Sequence, residues 1–498
     1  MDTPLSSFTA TPSPAPVAAP VAATPDLFEE VESSAEAMQR LLQQQQQEHH
    51  AMPYPTWAVR QERIDRLQRM LEHNADAFVQ AIAQDFGHRA RQETQLAEID
   101  FVLSEIKYVQ RKLKSWMRVR RVPTALPFWP ASNRLLRQPL GVVGVVAPWN
   151  YPLQLALSPA LGALAAGNRV MIKPSEHTGR FAQLLRQAVS NYFSPGEMAV
   201  LLGGVETAQA FVQLPFDHLV FTGSTAVGRQ VAEAAARKLT PVTLELGGKS
   251  PVLIDRSADL ALAAQRIAYA KLFNAGQTCV APDYVLVHRS QQEAFVQAYS
   301  QAVRRMYPSI AGNADYTSII HQAHFSRLLA LLEEAHQHSA PIVVLGETEP
   351  ALRRLAPCLV IDPPLHSRLM QEEIFGPALP VLTYDNTDQA LGLIRSCADP
   401  LALYWFGNDG QERERVLNTT LSGGVCINDC LFHLAQQAQP FGGVGASGMG
   451  AYHGEWGFRT FSKEKPVFIQ SRFSLTQWLQ APYGKRFEQL MQLKRFLP

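Results

Sequence analysis

Several short stretches of this 498-residue chain place reactive or ligand-binding side chains beside turns. Cys279 lies in the run Asn274-Ala-Gly-Gln-Thr-Cys-Val-Ala-Pro282, between a Gly-containing polar loop and a Pro-bearing turn. Gly276 permits a close backbone approach to a ligand that a Cβ would hinder. Pro282 punctuates the chain before a β-rich run over 284–288. A thiol presented this way can attack a small electrophile. The same pattern also fits an inert turn cysteine, because free Cys is among the most buried residue types. Glu245 precedes a Gly-Gly turn in Leu244-Glu-Leu-Gly-Gly-Lys-Ser-Pro251. Its flanking leucines predict partial desolvation and a raised pKa, as a general base for water requires. An interdomain salt bridge is the competing structural role. Asn150, in Pro148-Trp149-Asn150-Tyr-Pro152, follows an apolar run, at the strand end where α/β sheets bind ligands. Its amide can donate to a developing oxyanion or cap the next helix.

Three further turns carry groups suited to a nucleotide. In Lys173-Pro-Ser-Glu176 the lysine can donate to ribose hydroxyls and the glutamate accept from them; a plain surface turn is the alternative. Thr222-Gly223-Ser224 ends a strand and opens a helix. Ser224 is a natural N-cap, and the free N–H groups with the helix dipole favour a phosphate. The first βα turn lacks G-x-G-x-x-G, so the common dinucleotide fingerprint is missing. Glu372-Glu373-Ile-Phe375-Gly-Pro377 adds a carboxylate and an aromatic ring. Cys426, Cys430 and His433 have no fourth ligand at a zinc-like spacing, so core packing is expected there and no metal.

These turns need a large scaffold. The length implies two or three domains, and 46% hydrophobic with 18% charged residues describes a soluble globular protein. With 45 basic and 44 acidic residues the net charge is +1, which points to neither nucleic acid nor an anionic membrane. Five cysteines, an odd and sparse count, argue against a disulfide framework and fit a reducing, cytoplasmic setting. The first 30 residues contain no Lys or Arg, so no signal peptide is expected. No window approaches the ~18 apolar residues of a membrane-spanning helix.

Residues 1–50 are Pro/Ala-rich, then acidic, then glutamine-rich. They read as a disordered leader, with a short helix over 34–46. Helical periodicity runs from 55 to 117. Residues 118–137 turn basic and then Pro- and aromatic-rich, an excursion away from a sheet. The apolar run Gly141-Val-Val-Gly-Val-Val-Ala147 predicts a strand buried on both faces. Helices are expected over 153–166, 179–192 and 226–238, and strands over 169–173, 198–202 and 218–221. This alternation implies βαβ units, a parallel sheet and a nucleotide-binding domain. A second α/β series follows, with strands over 252–254, 284–288, 342–345, 379–384, 401–406 and 424–427. Helices over 260–273 and 291–306 accompany it, placing the thiol at a helix-to-strand loop.

Taken together, these motifs resemble the aldehyde dehydrogenase superfamily in type and order, over about 55–468. Within it the chain is similar to the class 3 branch through Thr278-Cys-Val-Ala-Pro-Asp-Tyr284 and the Gly-rich run over 441–454. It is similar to the bacterial coniferyl aldehyde dehydrogenases through Ile427-Asn-Asp429, His433 and Pro482-Tyr-Gly-Lys-Arg486. The resemblance implies a Rossmann-type cofactor domain (51–121 and 138–245) and an α/β catalytic domain (246–440). It also implies a small β bridging element for homodimerisation (122–137 and 441–470) and a tail over 471–498. Leu490, Leu493 and Leu497 make that tail amphipathic, suited to surface packing rather than a membrane anchor.

By the same resemblance Cys279 is the nucleophile, Glu245 the base for thioester hydrolysis, and Asn150 the oxyanion donor. Lys173 and Glu176 would hold the adenosine ribose, Gly223 and Ser224 the pyrophosphate, and Trp149, Glu373 and Phe375 the rest of the cofactor. A carboxylate at Glu176 favours NAD, while the class 3 likeness admits NADP. The expected reaction is oxidation of an aldehyde, coniferaldehyde-like or a medium- to long-chain fatty aldehyde, to its acid. A cofactor-free thiol esterase would need a base near Cys279, and only His288 is close in sequence. A non-enzymatic scaffold would need none of Cys279, Glu245, Asn150 and Lys173.

Overall fold

The structure, a computed structural model, describes residues 34–494. The apolar run at 141–147 forms the strand Val142–Val146, almost wholly buried as its lack of alternation requires. It lies inside a six-stranded sheet ordered Gly448–Met449, Val242–Glu245, His218–Thr222, Val142–Val146, Arg169–Lys173, Met198–Val200. All neighbours are parallel except the short Gly448–Met449, which runs antiparallel to Val242–Glu245. From Val142–Val146 the chain builds outward first to one side and then to the other. Strand order therefore reverses between Val142–Val146 and His218–Thr222, which opens a crevice outside their carboxyl ends.

Helix Pro152–Ala166 is apolar all round because it is covered all round. Helices Trp57–Phe86, Phe101–Trp116 and Gly454–Thr460 pack against it, with the sheet on its other side. A second, seven-stranded sheet is ordered Ile342–Val344, Cys358–Ile361, Ala378–Tyr384, Tyr284–His288, Pro251–Ile254, Ala402–Phe406, Gly424–Ile427. It is parallel except for the edge strand Ile342–Val344. The molecule is thus α/β with a Rossmann-like cofactor sheet and a separate catalytic sheet.

The excursion at 118–137 forms strands Arg120–Val122 and Ser132–Pro139, which join Ser462–Ile469 in a third, antiparallel sheet. Two expectations are corrected here. Residues 441–461 do not share this bridging sheet: Gly448–Met449 returns to the cofactor sheet beside Glu245. The leader is not disordered throughout 1–50: the short helix expected over 34–46 is present and longer, Ala35–Ala51, capped by Ser34, whose hydroxyl accepts from the Ala37 N–H. Met38, Leu42 and Gln45 are buried, and the Gln45 side chain donates to the carbonyls of Val170 (3.2 Å) and Pro195 (2.8 Å). A glutamine repeat looks solvated in composition, but here one member is buried and satisfies two backbone carbonyls. Residues 1–33 and Leu497 lie outside the described residues.

Candidate active site

Cys279 stands where two cavities meet. A cleft of about 820 Å³ is lined by Trp149, Asn150, Gly223, Ser224, Glu245, Glu373, Phe375 and Cys279, among others. A second cavity of about 280 Å³ reaches Cys279 from another side, between Tyr151, Tyr269, Phe273, Phe432 and Phe441. Leu155 and Phe441 also border both. The cleft lies at the carboxyl ends of Val142–Val146, His218–Thr222 and Val242–Glu245, the switch point of the sheet.

The loop before Cys279 is an unusual backbone held by side chains. Asn274 and Ala275 adopt left-handed conformations (φ 54° and 52°), followed by Gly276 at φ 77°. The Asn274 N–H donates to Glu93 Oε1 at 3.1 Å, and its side-chain amide donates to the carbonyls of Asn150 and Gln277, each at 3.1 Å. The Gln277 amide donates to Asn274 O (3.0 Å) and Ser318 O (3.1 Å), and its oxygen accepts from the Ile320 N–H (2.9 Å). The Thr278 hydroxyl meets the Tyr151 hydroxyl at 2.6 Å. Gly276 serves a different purpose from the expected approach to a ligand. A Cβ there would stand 2.3 Å from the carbonyl oxygen of Gly376, so the glycine lets the thiol loop seat on the turn after Phe375.

The Asn150 side-chain amide is buried and donates one N–H to Gln277 O at 3.3 Å. A primary amide carries two such hydrogens, which leaves one for a ligand. Its helix-capping alternative is not realised: Tyr151 precedes helix Pro152–Ala166, and the first N–H groups donate to Glu98 instead. Glu245 ends its strand at 2% exposure, and neither carboxyl oxygen has a hydrogen-bond partner among the described residues. Among the described residues it forms no salt bridge, and burial pushes its pKa well above the ordinary carboxylate range. Burial, then the Glu373 and Glu245 carboxyls, push the Cys279 thiol up to about 12, opposed by the N–H groups of Cys279 and Val280. Burial, then Asp283, push Glu373 up to about 8. That carboxyl lies on the Gly-Gly turn, where a Cβ at Gly247 would be 1.9 Å from Glu373 Oε2.

The site therefore joins a half-buried thiol, an unpaired buried carboxyl and an amide donor at a dinucleotide-sized crevice. The Aldehyde dehydrogenase family model matches residues 10–467. The chain belongs to the aldehyde dehydrogenase family. A Pseudomonas aeruginosa relative named "Probable coniferyl aldehyde dehydrogenase" is 48% identical over 441 residues, 89% of this chain and 92% of the relative. A Pseudomonas sp. relative named "Coniferyl aldehyde dehydrogenase" is 44% identical, covering 87% of this chain and 91% of its own length. The solved substrate-bound state of Staphylococcus aureus AldH superposes with a TM-score of 0.87 at 38% identity, covering 91% of this chain and 98% of that one. Members of the family oxidise aldehydes to acids with NAD(P), and this chain is an enzyme of that kind.

The fit of a dinucleotide to this dehydrogenase rests on the cleft itself. Ser224 caps helix Thr225–Ala236 at the cleft wall, and its hydroxyl accepts from the Val227 N–H at 3.4 Å. The remaining N–H groups of that helix start offer donors to a phosphate. Trp149 and Phe375 meet edge to face, with ring centroids 5.5 Å apart. Lys173 and Glu176 are not among the cleft walls. Lys173 is buried and its ammonium donates to Pro174 O at 2.7 Å, while Glu176 is partly exposed beside His177.

Several cleft residues were not singled out from sequence. Helix Gln322–Gln337 brings His324 and Arg327 to the cleft. The His324 ring lies 2.8 Å from Phe375 O, and Arg327 donates to Ile374 O (2.9 Å) and Glu373 O (2.6 Å). Lys249 pairs with Asp283 and donates to the carbonyls of Leu369 (2.9 Å) and Glu372 (3.0 Å). Arg229 adds a cation near Ser224. The spacing His324-x-x-Arg327 on one helix face was the only sequence signal for the first pair.

Proposed function

We propose that this dehydrogenase oxidises an aromatic, coniferaldehyde-like aldehyde to its carboxylic acid through a thioester on Cys279. The observation that carries this reading is the position of Cys279, shared by the cleft holding Glu245 and the aromatic-walled second cavity, the substrate tunnel of this proposal. The Cys279 thiol first loses its proton to water, and the thiolate then attacks the carbonyl carbon of an aldehyde entering by the tunnel, which gives a thiohemiacetal oxyanion. The free N–H of the Asn150 amide and the Cys279 backbone N–H hold that oxyanion. NAD, when bound, supplies the hydride acceptor. Glu245, ionised for this step, takes a proton from the water that cleaves the thioester, and its desolvated carboxylate is a stronger base than one in water.

The cofactor-holding roles assigned above to Trp149, Lys173, Glu176, Gly223, Ser224, Glu373 and Phe375 belong to this proposal. So do NAD as first cofactor with NADP as second, a homodimer and a cytoplasmic setting. Exposed Phe128, Trp129, Phe468 and Ile469 on the third sheet support a second copy docking there. The aromatic substrate is supported by the names of the relatives and the ring-rich tunnel. An alkyl aldehyde is the second reading, favoured by the apolar tunnel wall. The test is NADH or NADPH formation with coniferaldehyde, benzaldehyde, hexanal and decanal. The highest kcat/KM is expected for coniferaldehyde with NAD; a preference for decanal would favour the alkyl reading.

A further inference from the structure

Arg89 faces neither cavity, yet it touches the turn that carries Asn150 and, through the Asn150 carbonyl and Tyr151, is linked to the loop that carries Cys279. Its side chain is wholly buried, and one guanidinium nitrogen donates to Glu98 Oε1 at 2.7 Å and to the carbonyl of Asn150 at 3.0 Å. That carbonyl also accepts from Asn274 Nδ2, the residue that shapes the thiol loop. The second oxygen of Glu98 accepts the N–H groups of Leu153 (2.7 Å) and Gln154 (3.3 Å) at the start of helix Pro152–Ala166. The guanidinium carbon lies 4.9 Å from the ring centroid of Tyr151, whose hydroxyl meets Thr278 one residue before the nucleophile. One ion pair therefore anchors the 149–152 turn at its carbonyl, its aromatic ring and its helix end.

We propose that Arg89 is a positioning residue for aldehyde oxidation, acting through the Asn150 peptide to aim the Asn150 amide at the oxyanion. Fixing the Asn150 carbonyl fixes ψ of that residue, and with it the direction of its side chain. A purely stabilising role fits poorly. Buried ion pairs are commonly replaceable by apolar side chains without loss of stability. Moreover, among the described residues Arg89 Nε and Nη2 have no hydrogen-bond partners, so the protein groups present satisfy the pair incompletely. Its geometry is used at Asn150, where a small misplacement of an oxyanion donor lowers the rate. The inference rests on the oxyanion role proposed for Asn150.

The test is a double-mutant cycle on the full chain. Arg89→Met with Glu98→Gln removes both charges, while the glutamine oxygen still accepts the helix N–H groups. Thermal melting reports folding, and Arg89→Lys serves as a second variant that leaves no unpaired carboxylate. Kinetics are read with the Asn150 side chain present and in an Asn150→Ala background. In the wild-type background kcat is expected to fall roughly 10- to 100-fold, less than the ~10²–10³ of deleting an oxyanion donor. Aldehyde KM and NAD affinity should move by less than about threefold, and in the Asn150→Ala background the further loss should shrink to under about threefold. An equal loss in both backgrounds, or wild-type kcat after both charges are removed, would overturn the proposal. Asn150→Ala alone leaving kcat unchanged would overturn the oxyanion reading itself, and the positioning role with it. That outcome is separate, because it is read before Arg89 is altered.

Discussion

At Cys279 the resting enzyme holds a neutral thiol, because burial, Glu373 and Glu245 all oppose the thiolate. Raising pH therefore favours the nucleophile across the whole neutral range. Alkylation of Cys279 by iodoacetamide in cofactor-free enzyme should accelerate about tenfold per pH unit between roughly pH 7 and 9. A plateau below about pH 8 would mean that the fold stabilises the thiolate. Cys279→Ala should abolish oxidation while NAD binding, followed by fluorescence, persists. Glu245→Gln should reduce steady-state kcat by roughly 10²–10⁴-fold yet keep a first-turnover burst of NADH. Loss of the burst as well would place Glu245 in the earlier chemistry.

The elements explain why those residues meet. Gly276 at φ 77° lets the thiol loop seat against the Gly376 carbonyl, whose oxygen would lie 2.3 Å from a Cβ at that position. Gly276→Ala should therefore lower both Tm and kcat, and an unaltered kcat would show that the two turns are independent. Glu105, on helix Phe101–Trp116, accepts the Ser158 hydroxyl at 2.6 Å inside the helix layer. Burial pushes its carboxyl up to about 8 from the ordinary 4.5. A pKa higher in the folded than in the unfolded chain means that the stability it contributes is complete below about 4.5 and is lost as pH rises through about 8. Glu105→Gln should therefore gain in Tm relative to wild type between about pH 5 and 8.5, and a pH-independent difference would contradict that environment. Regular elements were legible where periodicity was strong. The strand at 142–146 and helix at 179–192 needed only the apolar pattern, and 284–288 only its β-branched run. Strand Val242–Glu245 is not marked in the sequence, because Val-Thr-Leu-Glu has few residues and is not a continuous apolar run. Strand Cys358–Ile361 and helix Gln322–Gln337 escaped because no motif flanks them. The reactive set was readable because each member sits in a glycine- or proline-marked turn. The Arg89–Glu98 anchor was not, because an ion pair nine residues apart shows no pattern along the chain.

On the scale of the whole molecule, two sheets divide the labour, one opening a cofactor crevice and the other presenting the thiol beside it. The helix Ala35–Ala51 covers part of one face of the first sheet, where Met38 and Leu42 pack with Val142 and Met171. Deleting residues 1–51 should expose that face and lower Tm by several degrees or more, as expected for losing buried apolar side chains. An unchanged melt would mean that the helix adds nothing to the core. The central claim, a thioester on Cys279 released by Glu245, is tested most directly by trapping it. Glu245→Gln enzyme is mixed with NAD and coniferaldehyde, quenched in acid, and analysed by intact-mass and peptide mass spectrometry. The account requires one added acyl group, located on the peptide bearing Cys279. No adduct, or an adduct on Cys358, Cys397, Cys426 or Cys430 instead, would contradict it.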